Sequence, residues 1–216
     1  MATIPVRPPY GPTLGRLLEP WWRAASPLTR MLVRVAAIAA VALAIGVALV
    51  LLNAHFSTSR PLPFSFAYRG LYRARPDPGG IVKIRRLDSS GHLEDSFAVA
   101  PLELPPYTGA SQGELPVFAD GYIRELERRD TDFVLYGEGL QRINTVPAYD
   151  VYYTTTVEGT PMFGRDVLLV AQRPGQRAGV RITMLTTPTA NKDVTSPLEV
   201  ATTGVLLRPY KTFALH

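Results

Sequence analysis

An apolar run near the N-terminus constrains this chain more than any other feature. Residues 35–52 are eighteen consecutive positions without a charged or strongly polar side chain. As a helix, residues 32–52 would extend roughly 30 Å, about the thickness of the hydrocarbon core of a bilayer. A cleaved signal peptide has an apolar run of only about 7–15 residues close to its start, whereas more than thirty residues precede this one. The sequence therefore predicts a retained transmembrane signal anchor at residues 31–52.

The basic residues that flank this run predict its orientation. Before residue 35 the chain has five arginines and one acidic residue, whereas the remainder has 18 basic and 17 acidic residues. The flank with excess arginine stays in the cytoplasm, so the N-terminus is predicted to be cytoplasmic and the C-terminal domain extracytoplasmic. Because most of the net charge of +5 lies on this flank, the charge indicates topology and no nucleic-acid partner.

Composition divides the rest of the chain into three further segments. Residues 1–30 contain six prolines and four arginines, which predicts a Pro/Arg-rich cytoplasmic tail without a long helix. Residues 53–63 are polar and end in prolines, which predicts a short stalk. Residues 64–216 have the size of one extracytoplasmic domain, and the absence of cysteine excludes disulfides. Twenty arginines against three lysines indicate a GC-rich bacterial genome, so the membrane is predicted to be the bacterial plasma membrane.

Alternation of apolar and polar residues in this domain predicts an α+β fold, with an antiparallel sheet flanked by helices. Seven strands are predicted, at residues 64–68, 81–87, 95–104, 133–142, 147–157, 165–172 and 180–187. An apolar face and an early proline predict a helix at residues 116–129. A weaker helical stretch follows at residues 197–213. Gly137 and Gly139 lie inside a strand pattern and indicate a bulge or a bend.

Several of these segments resemble the PsbP-like family. The matching positions are Phe64, Phe66 and Tyr68 in the opening strand, Val146, Pro147, Ala148, Tyr149 and Tyr153 in a later strand, Val180, Ile182 and Met184, and Thr212 with Phe213 near the end. The resemblance implies an α/β/α sandwich that covers most of residues 62–215. Since the family consists mostly of accessory and binding proteins, it implies no single activity.

The residues offer little for catalysis, and no catalytic residue, cofactor or metal ligand is predicted. The chain has no cysteine, three histidines that are far apart, and no G-x-S-x-G motif, which disfavours nucleophilic catalysis. It also lacks the ligand spacings of zinc and calcium sites and the glycine-rich loops of nucleotide-binding proteins. Asp150 and Asp166 remain an alternative, because two strand carboxylates that meet in a cleft could serve an anchored hydrolase.

The function predicted is that of a non-enzymatic, single-pass, membrane-anchored accessory or binding protein of the bacterial cell envelope. Its partner would be a protein or a small ligand outside the cytoplasm. The candidate binding face consists of aromatic residues, although packing within the sheet explains them better; they are Tyr68, Tyr72, Tyr149, Tyr152 and Tyr153. A further alternative is a subunit of a larger membrane complex, because small residues recur along the anchor at Ala36, Ala40, Ala44 and Ala48.

Overall fold

The computed structural model describes residues 23–51, 54–59, 62–104, 111–170 and 178–216, which fall into two compact units that divide after Leu51. Helix α1 (Pro27–Leu51) is the described part of the first unit apart from a few residues before it. It begins four residues earlier than the predicted anchor, because proline suits the first turn and the Ser26 hydroxyl accepts a hydrogen bond from the backbone N–H of Thr29 at 3.2 Å. The helix is long and apolar enough to cross a membrane. Residues 1–22 of the predicted tail lie outside the described residues.

The second unit is built on two antiparallel sheets. Its strands and helices, in chain order, are β1 (Ala54–Thr58), β2 (Phe64–Tyr68), β3 (Tyr72–Ala74), β4 (Val82–Leu87), β5 (Leu93–Glu103), α2 (Ser111–Arg129), β6 (Val134–Ile143), β7 (Val146–Val157), β8 (Thr160–Val170), β9 (Ala178–Thr186), a 3₁₀ turn (Pro197–Glu199), α3 (Gly204–Lys211) and β10 (Ala214–Leu215). Seven strands form the large sheet in the order β3-β4-β5-β9-β8-β7-β6, and three form the small sheet in the order β1-β2-β10. The predicted α+β fold is confirmed.

The small sheet replaces part of the predicted stalk. Residues 54–58, expected to be an irregular connection, form β1 and pair in antiparallel register with all of β2. The reason is aromatic packing, since the Phe56 ring lies 5.6 Å from the ring of Phe64 and 5.4 Å from that of Phe66. Such ring pairs stabilise a fold beyond the area that they bury. On the other edge of β2, β10 pairs with Phe64 and Ser65.

The two faces of the large sheet are covered differently. Helix α2 packs on one face over β6, β7 and β8, with Leu115, Ala119 and Ile123 buried against the sheet. The small sheet and α3 pack on the opposite face, where the rings of Phe66 and Phe97 lie 4.9 Å apart. Helix α2 begins before the predicted position, since burial of Leu115 stabilises an additional turn.

The predicted helical stretch at residues 197–213 is interrupted. The structure forms a 3₁₀ turn and then a separate helix, α3. Ala201 lies between them with a φ of 64°, and Gly204, the first residue of α3, has a φ of 71°; such a backbone cannot continue a right-handed helix.

Candidate functional site

A groove lies beside α2, on the part of the large sheet that this helix does not cover. Because α2 packs over β6, β7 and β8, the half of this face formed by β4, β5 and β9 is left beside the helix, and the two enclose a cavity of about 420 Å³. Alternation along β5 buries Phe97 and Val99 in the core and turns Ser96, Ala98 and Ala100 toward the cavity. These three side chains are small, so the floor is recessed between longer side chains on both sides.

The walls of the groove are polar and mostly basic. Lys83 from β4, Arg181 from β9 and Arg129 from α2 line it, together with Asp77 and Asp166. The Lys83 ammonium is held by the Asp77 carboxylate at 3.0 Å. The lining therefore has three basic and two acidic side chains, which favours anions at its surface.

Asp166 in this wall is a buried carboxylate held by hydrogen bonds from two tyrosines. It is 1% exposed, and its two carboxylate oxygens accept hydrogen bonds from different tyrosines. The Tyr122 hydroxyl donates to Oδ2, and the Tyr153 hydroxyl donates to Oδ1 at 3.1 Å. Gly164 lies opposite Tyr153 and makes room for its ring, because a Cβ atom there would come within 2.3 Å of the ring edge.

Burial and hydrogen bonding set the protonation of this cluster. Burial raises the pKa of Asp166 above its ordinary value, although the hydrogen bond from Tyr122 and the charge of Arg181 oppose the shift. Burial and the neighbouring Asp166 carboxylate both raise the pKa of Tyr122 and that of Tyr153. Both tyrosines are therefore protonated hydrogen-bond donors at neutral pH.

Arg181 connects this cluster to the open groove. Its guanidinium carbon lies 5.6 Å from the centre of the Tyr122 ring, within the range of a cation–π interaction. Burial opposes its charge, but the negative charges that Tyr122 and Asp166 carry when ionised outweigh burial and raise the pKa of Arg181. Its Nε atom is buried and has no hydrogen-bond partner among the described residues. A ligand with an acidic group would supply an acceptor beside this guanidinium.

Asp150 belongs to a separate cluster on the opposite face of the sheet. Its carboxylate pairs with the buried guanidinium of Arg165 at 2.7 Å and accepts a hydrogen bond from the Tyr152 hydroxyl at 2.8 Å. Arg165 also donates to the carbonyl of Val200 at 3.2 Å and to the Tyr210 hydroxyl. This cluster joins the large sheet to the segment that contains the 3₁₀ turn and α3.

The two predicted carboxylates consequently do not meet. Asp150 lies opposite Val167, and Asp166 lies opposite Val151, on neighbouring strands. Since paired residues of antiparallel strands point to the same side, the two aspartates point to opposite sides of the sheet. Both aspartates are buried, and only Asp150 is paired with an arginine in a salt bridge among the described residues.

The five predicted tyrosines lie in different environments. Tyr153 lines the groove, and Tyr149 is buried beside it under α2. Tyr152 points to the opposite side, toward Asp150. Tyr72 is 76% exposed on β3, and Tyr68 packs against Phe66 in the small sheet with ring centres 5.9 Å apart. The structure therefore brings together Tyr149 and Tyr153 only.

Two residues that form the groove, Tyr122 and Arg181, were not predicted from the sequence. Tyr122 belongs to the apolar face of a predicted helix, which gives no sign of its hydroxyl contact. On a predicted strand, Arg181 and Thr183 lie on one side and alternate with Val180 and Ile182, which point to the core on the other side. That alternation, together with the small residues of β5, was the available signal for a recessed basic surface.

The fold of the second unit has a counterpart among solved structures. No protein-family model matches the chain, and no curated protein matches it. Among solved structures, the cyanobacterial PsbP protein CyanoP from Synechocystis sp. PCC 6803 is 14% identical, with a TM-score of 0.52 over 76% of this chain and 92% of that one.

Two further structures match less well. LpqN, involved in cell envelope biogenesis of Mycobacterium tuberculosis, is 7% identical, with a TM-score of 0.49 over 76% of this chain and 91% of that one. PA94, a protein of unknown function and putative regulator from Pseudomonas aeruginosa, is 22% identical, with a TM-score of 0.34 over 56% and 85%. The fold assignment therefore rests on CyanoP: the second unit of this chain has the PsbP-like fold.

Proposed function

We propose that this protein is a non-enzymatic, single-pass binding protein of the bacterial cell envelope, which holds a small organic anion in the groove beside α2. The apolar helix α1 supplies the membrane anchor, and the arginine-rich flank keeps the N-terminus in the cytoplasm. The PsbP-like domain then works outside the cytoplasm. A tether of this kind raises the effective concentration of a binding domain toward partners at the same membrane, so modest affinity is sufficient.

The observation that carries this proposal is the chemistry of the groove. Its volume of about 420 Å³ lies within the range of small-molecule sites, which combine an apolar surface with a few convergent polar groups. Ala98, Ala100 and Leu185 supply the apolar surface, while Lys83 and Arg181 supply cationic groups. A carboxylate or a phosphate monoester on a compact apolar body has the matching chemistry.

The carboxylates favour binding over hydrolysis. Acid–base hydrolysis of a glycoside needs two carboxyl groups that flank one bond, and Asp150 and Asp166 lie on opposite faces of the sheet. Each is also engaged by neighbouring side chains, Asp150 by Arg165 and Asp166 by two tyrosines. Both aspartates therefore support the architecture, and Asp166 positions Tyr122 and Arg181 at the groove.

Calorimetric titration of the full-length protein in phosphatidylcholine nanodiscs tests this function. The probes are 4-methylbenzoate, phenyl phosphate and the neutral 4-methylbenzamide. We expect both anions to bind more tightly than the amide, and the ratio of their affinities to identify the acidic group. Arg181→Gln should weaken the binding of both anions by about tenfold or more, because the substitution removes a charged hydrogen-bond donor.

Arg124→Gln is the matched control, since Arg124 is an exposed α2 residue that pairs with Asp120. It should leave affinity unchanged. Equal binding by the wild type and the Arg181 variant would refute the groove as the site. Turnover of an ester or glycoside by the wild type, with loss of that turnover in folded Asp150→Asn or Asp166→Asn protein, would replace the binding function with the hydrolase.

A further inference from the structure

Strand β6 is an exposed, apolar edge of the large sheet. It is the terminal strand and pairs only with β7 among the strands that the structure describes. Its ten residues include no lysine and no proline, two of the residue types that commonly protect an edge from pairing with another chain. Large apolar side chains are exposed along it and beside it: Val134, Leu135, Tyr136, Leu140 and Leu198.

The regular part of this edge is symmetric about Leu140. A bulge interrupts the register between Leu135 and Gly137, which leaves residues 137–143 as the continuous segment. Leu140 is its central residue and is 62% exposed. Exposed Glu138 and Arg142 flank it at equal distances along the strand. An antiparallel pair centred on Leu140 therefore uses the whole regular segment.

That register is also complementary in charge to a second copy of itself. In a symmetric antiparallel pair, opposite residues point to the same side, so residue 140 lies opposite residue 140 of the copy, and residue 138 opposite residue 142. Glu138 of each copy then faces Arg142 of the other, twice in one interface. A register centred on Glu138 would instead place two carboxylates opposite each other, which is unfavourable.

We infer that two copies of this protein pair through their β6 edges, with Leu140 at the two-fold axis, and join two seven-stranded sheets into one. Each edge gains backbone hydrogen bonds and covers Leu140. A seven-residue edge buries less area than a stable soluble interface needs. Confinement of both copies to one membrane raises their effective concentration and compensates for the small area. This inference is independent of the ligand in the groove.

Cysteine cross-linking of the full-length protein in membranes tests the register, because the native chain has no cysteine. Directly opposite side chains in an antiparallel pair are close enough for a disulfide. Leu140→Cys should therefore yield a disulfide-linked dimer under mild oxidant. The matched control is Val117→Cys, an exposed apolar position on α2, which should not. Equal cross-linking at both positions, or none at residue 140, would overturn the pairing.

Charge reversal provides a second test that does not depend on oxidation. Glu138→Arg turns two attractive cross-strand pairs into two repulsive ones and should weaken dimerisation by about tenfold or more, measured by fluorescence energy transfer between labelled copies in liposomes. Glu138→Arg combined with Arg142→Glu restores opposite charges and should restore energy transfer. If the double variant remains as weak as the single one while circular dichroism shows that both are folded, the proposed register is wrong.

Discussion

Replacing Arg165 with Met would leave the Asp150 carboxylate without its counter-ion in the interior. Both side chains are 4% exposed, and their closest atoms lie 2.7 Å apart. Oδ1 of Asp150 has no hydrogen-bond partner within the described residues, so after the loss of Arg165 the carboxylate would keep only the hydrogen bond that the Tyr152 hydroxyl donates to Oδ2. Removal of one partner from a buried ion pair destabilises a protein by about 3–5 kcal/mol. For a domain of this size that corresponds to a decrease in Tm of about 10 °C.

The double variant Arg165→Met with Asp150→Leu separates loss of the pair from creation of a buried charge. Apolar replacement of a whole ion pair is often close to neutral in stability. Here, however, the Tyr152 hydroxyl loses its acceptor Asp150, and the Tyr210 hydroxyl loses its donor Arg165. We therefore expect the double variant to recover at least half of the stability that the single variant loses. Arg124→Met, which breaks an exposed pair with Asp120, should change stability by less than about 1 kcal/mol.

Urea unfolding of the full-length protein in a zwitterionic detergent measures these differences. Near-ultraviolet circular dichroism is suitable because Tyr152 and Tyr210 both contact Arg165. The dependence on urea should be the same for all variants, so that changes in midpoint report stability. A loss of less than about 1 kcal/mol for Arg165→Met, or a double variant less stable than the single one, would refute the buried-charge argument.

Three further outcomes are expected. A soluble fragment that starts at residue 54 should fold, and reductant should not change its stability. A fragment that starts at residue 59 should have a free energy of unfolding in urea that is lower by about 2 kcal/mol or more, because it lacks the Phe56 ring. Equal stability of the two fragments would mean that β1 contributes nothing. Burial raises the pKa of Asp166 above 3.8, so the folded state binds its proton more tightly; stability relative to Asp166→Asn should therefore fall as pH rises above 3.8, and a flat difference would contradict this. Protease added to intact spheroplasts should remove a C-terminal tag; a protected tag would reverse the proposed orientation.

The strands that the sequence predicts well are those with one buried face. In β2, Phe64 and Phe66 alternate with half-buried Ser65, and the prediction there matches the structure to the residue. β1 was missed because Phe56 is the only large apolar residue among its five, and its partner strand rather than its own pattern makes it a strand. β3 is only three residues long, too short for an alternating pattern to be visible.

In the candidate site, too, one feature could be predicted from the sequence and another could not. The opposite orientation of Asp150 and Asp166 was deducible, since Glu158 and Gly159 form a two-residue turn and Val157 pairs with Thr160. From that pair onward, each odd-numbered residue of β7 lies opposite an even-numbered residue of β8 and points to the same face. Two even-numbered residues, one on each strand, therefore point to opposite faces. The contact between Tyr122 and Asp166 was not deducible, because it depends on how α2 lies across the sheet and joins residues 44 positions apart.

The position of β2 between β1 and β10 has a consequence for biogenesis. The Ser65 hydroxyl meets the His216 ring, 151 positions away, at 2.8 Å, and the N–H of His216 donates to the carbonyl of Pro63 at 2.8 Å. A ribosome adds about 5–20 residues per second, so β2 emerges about 8–30 s before the strand that completes its sheet. During that interval Phe64 and Phe66 lack their final neighbour Phe213. Until the C-terminal residues have been made, the aromatic side chains of β2 therefore lack part of the packing that they have in the finished domain.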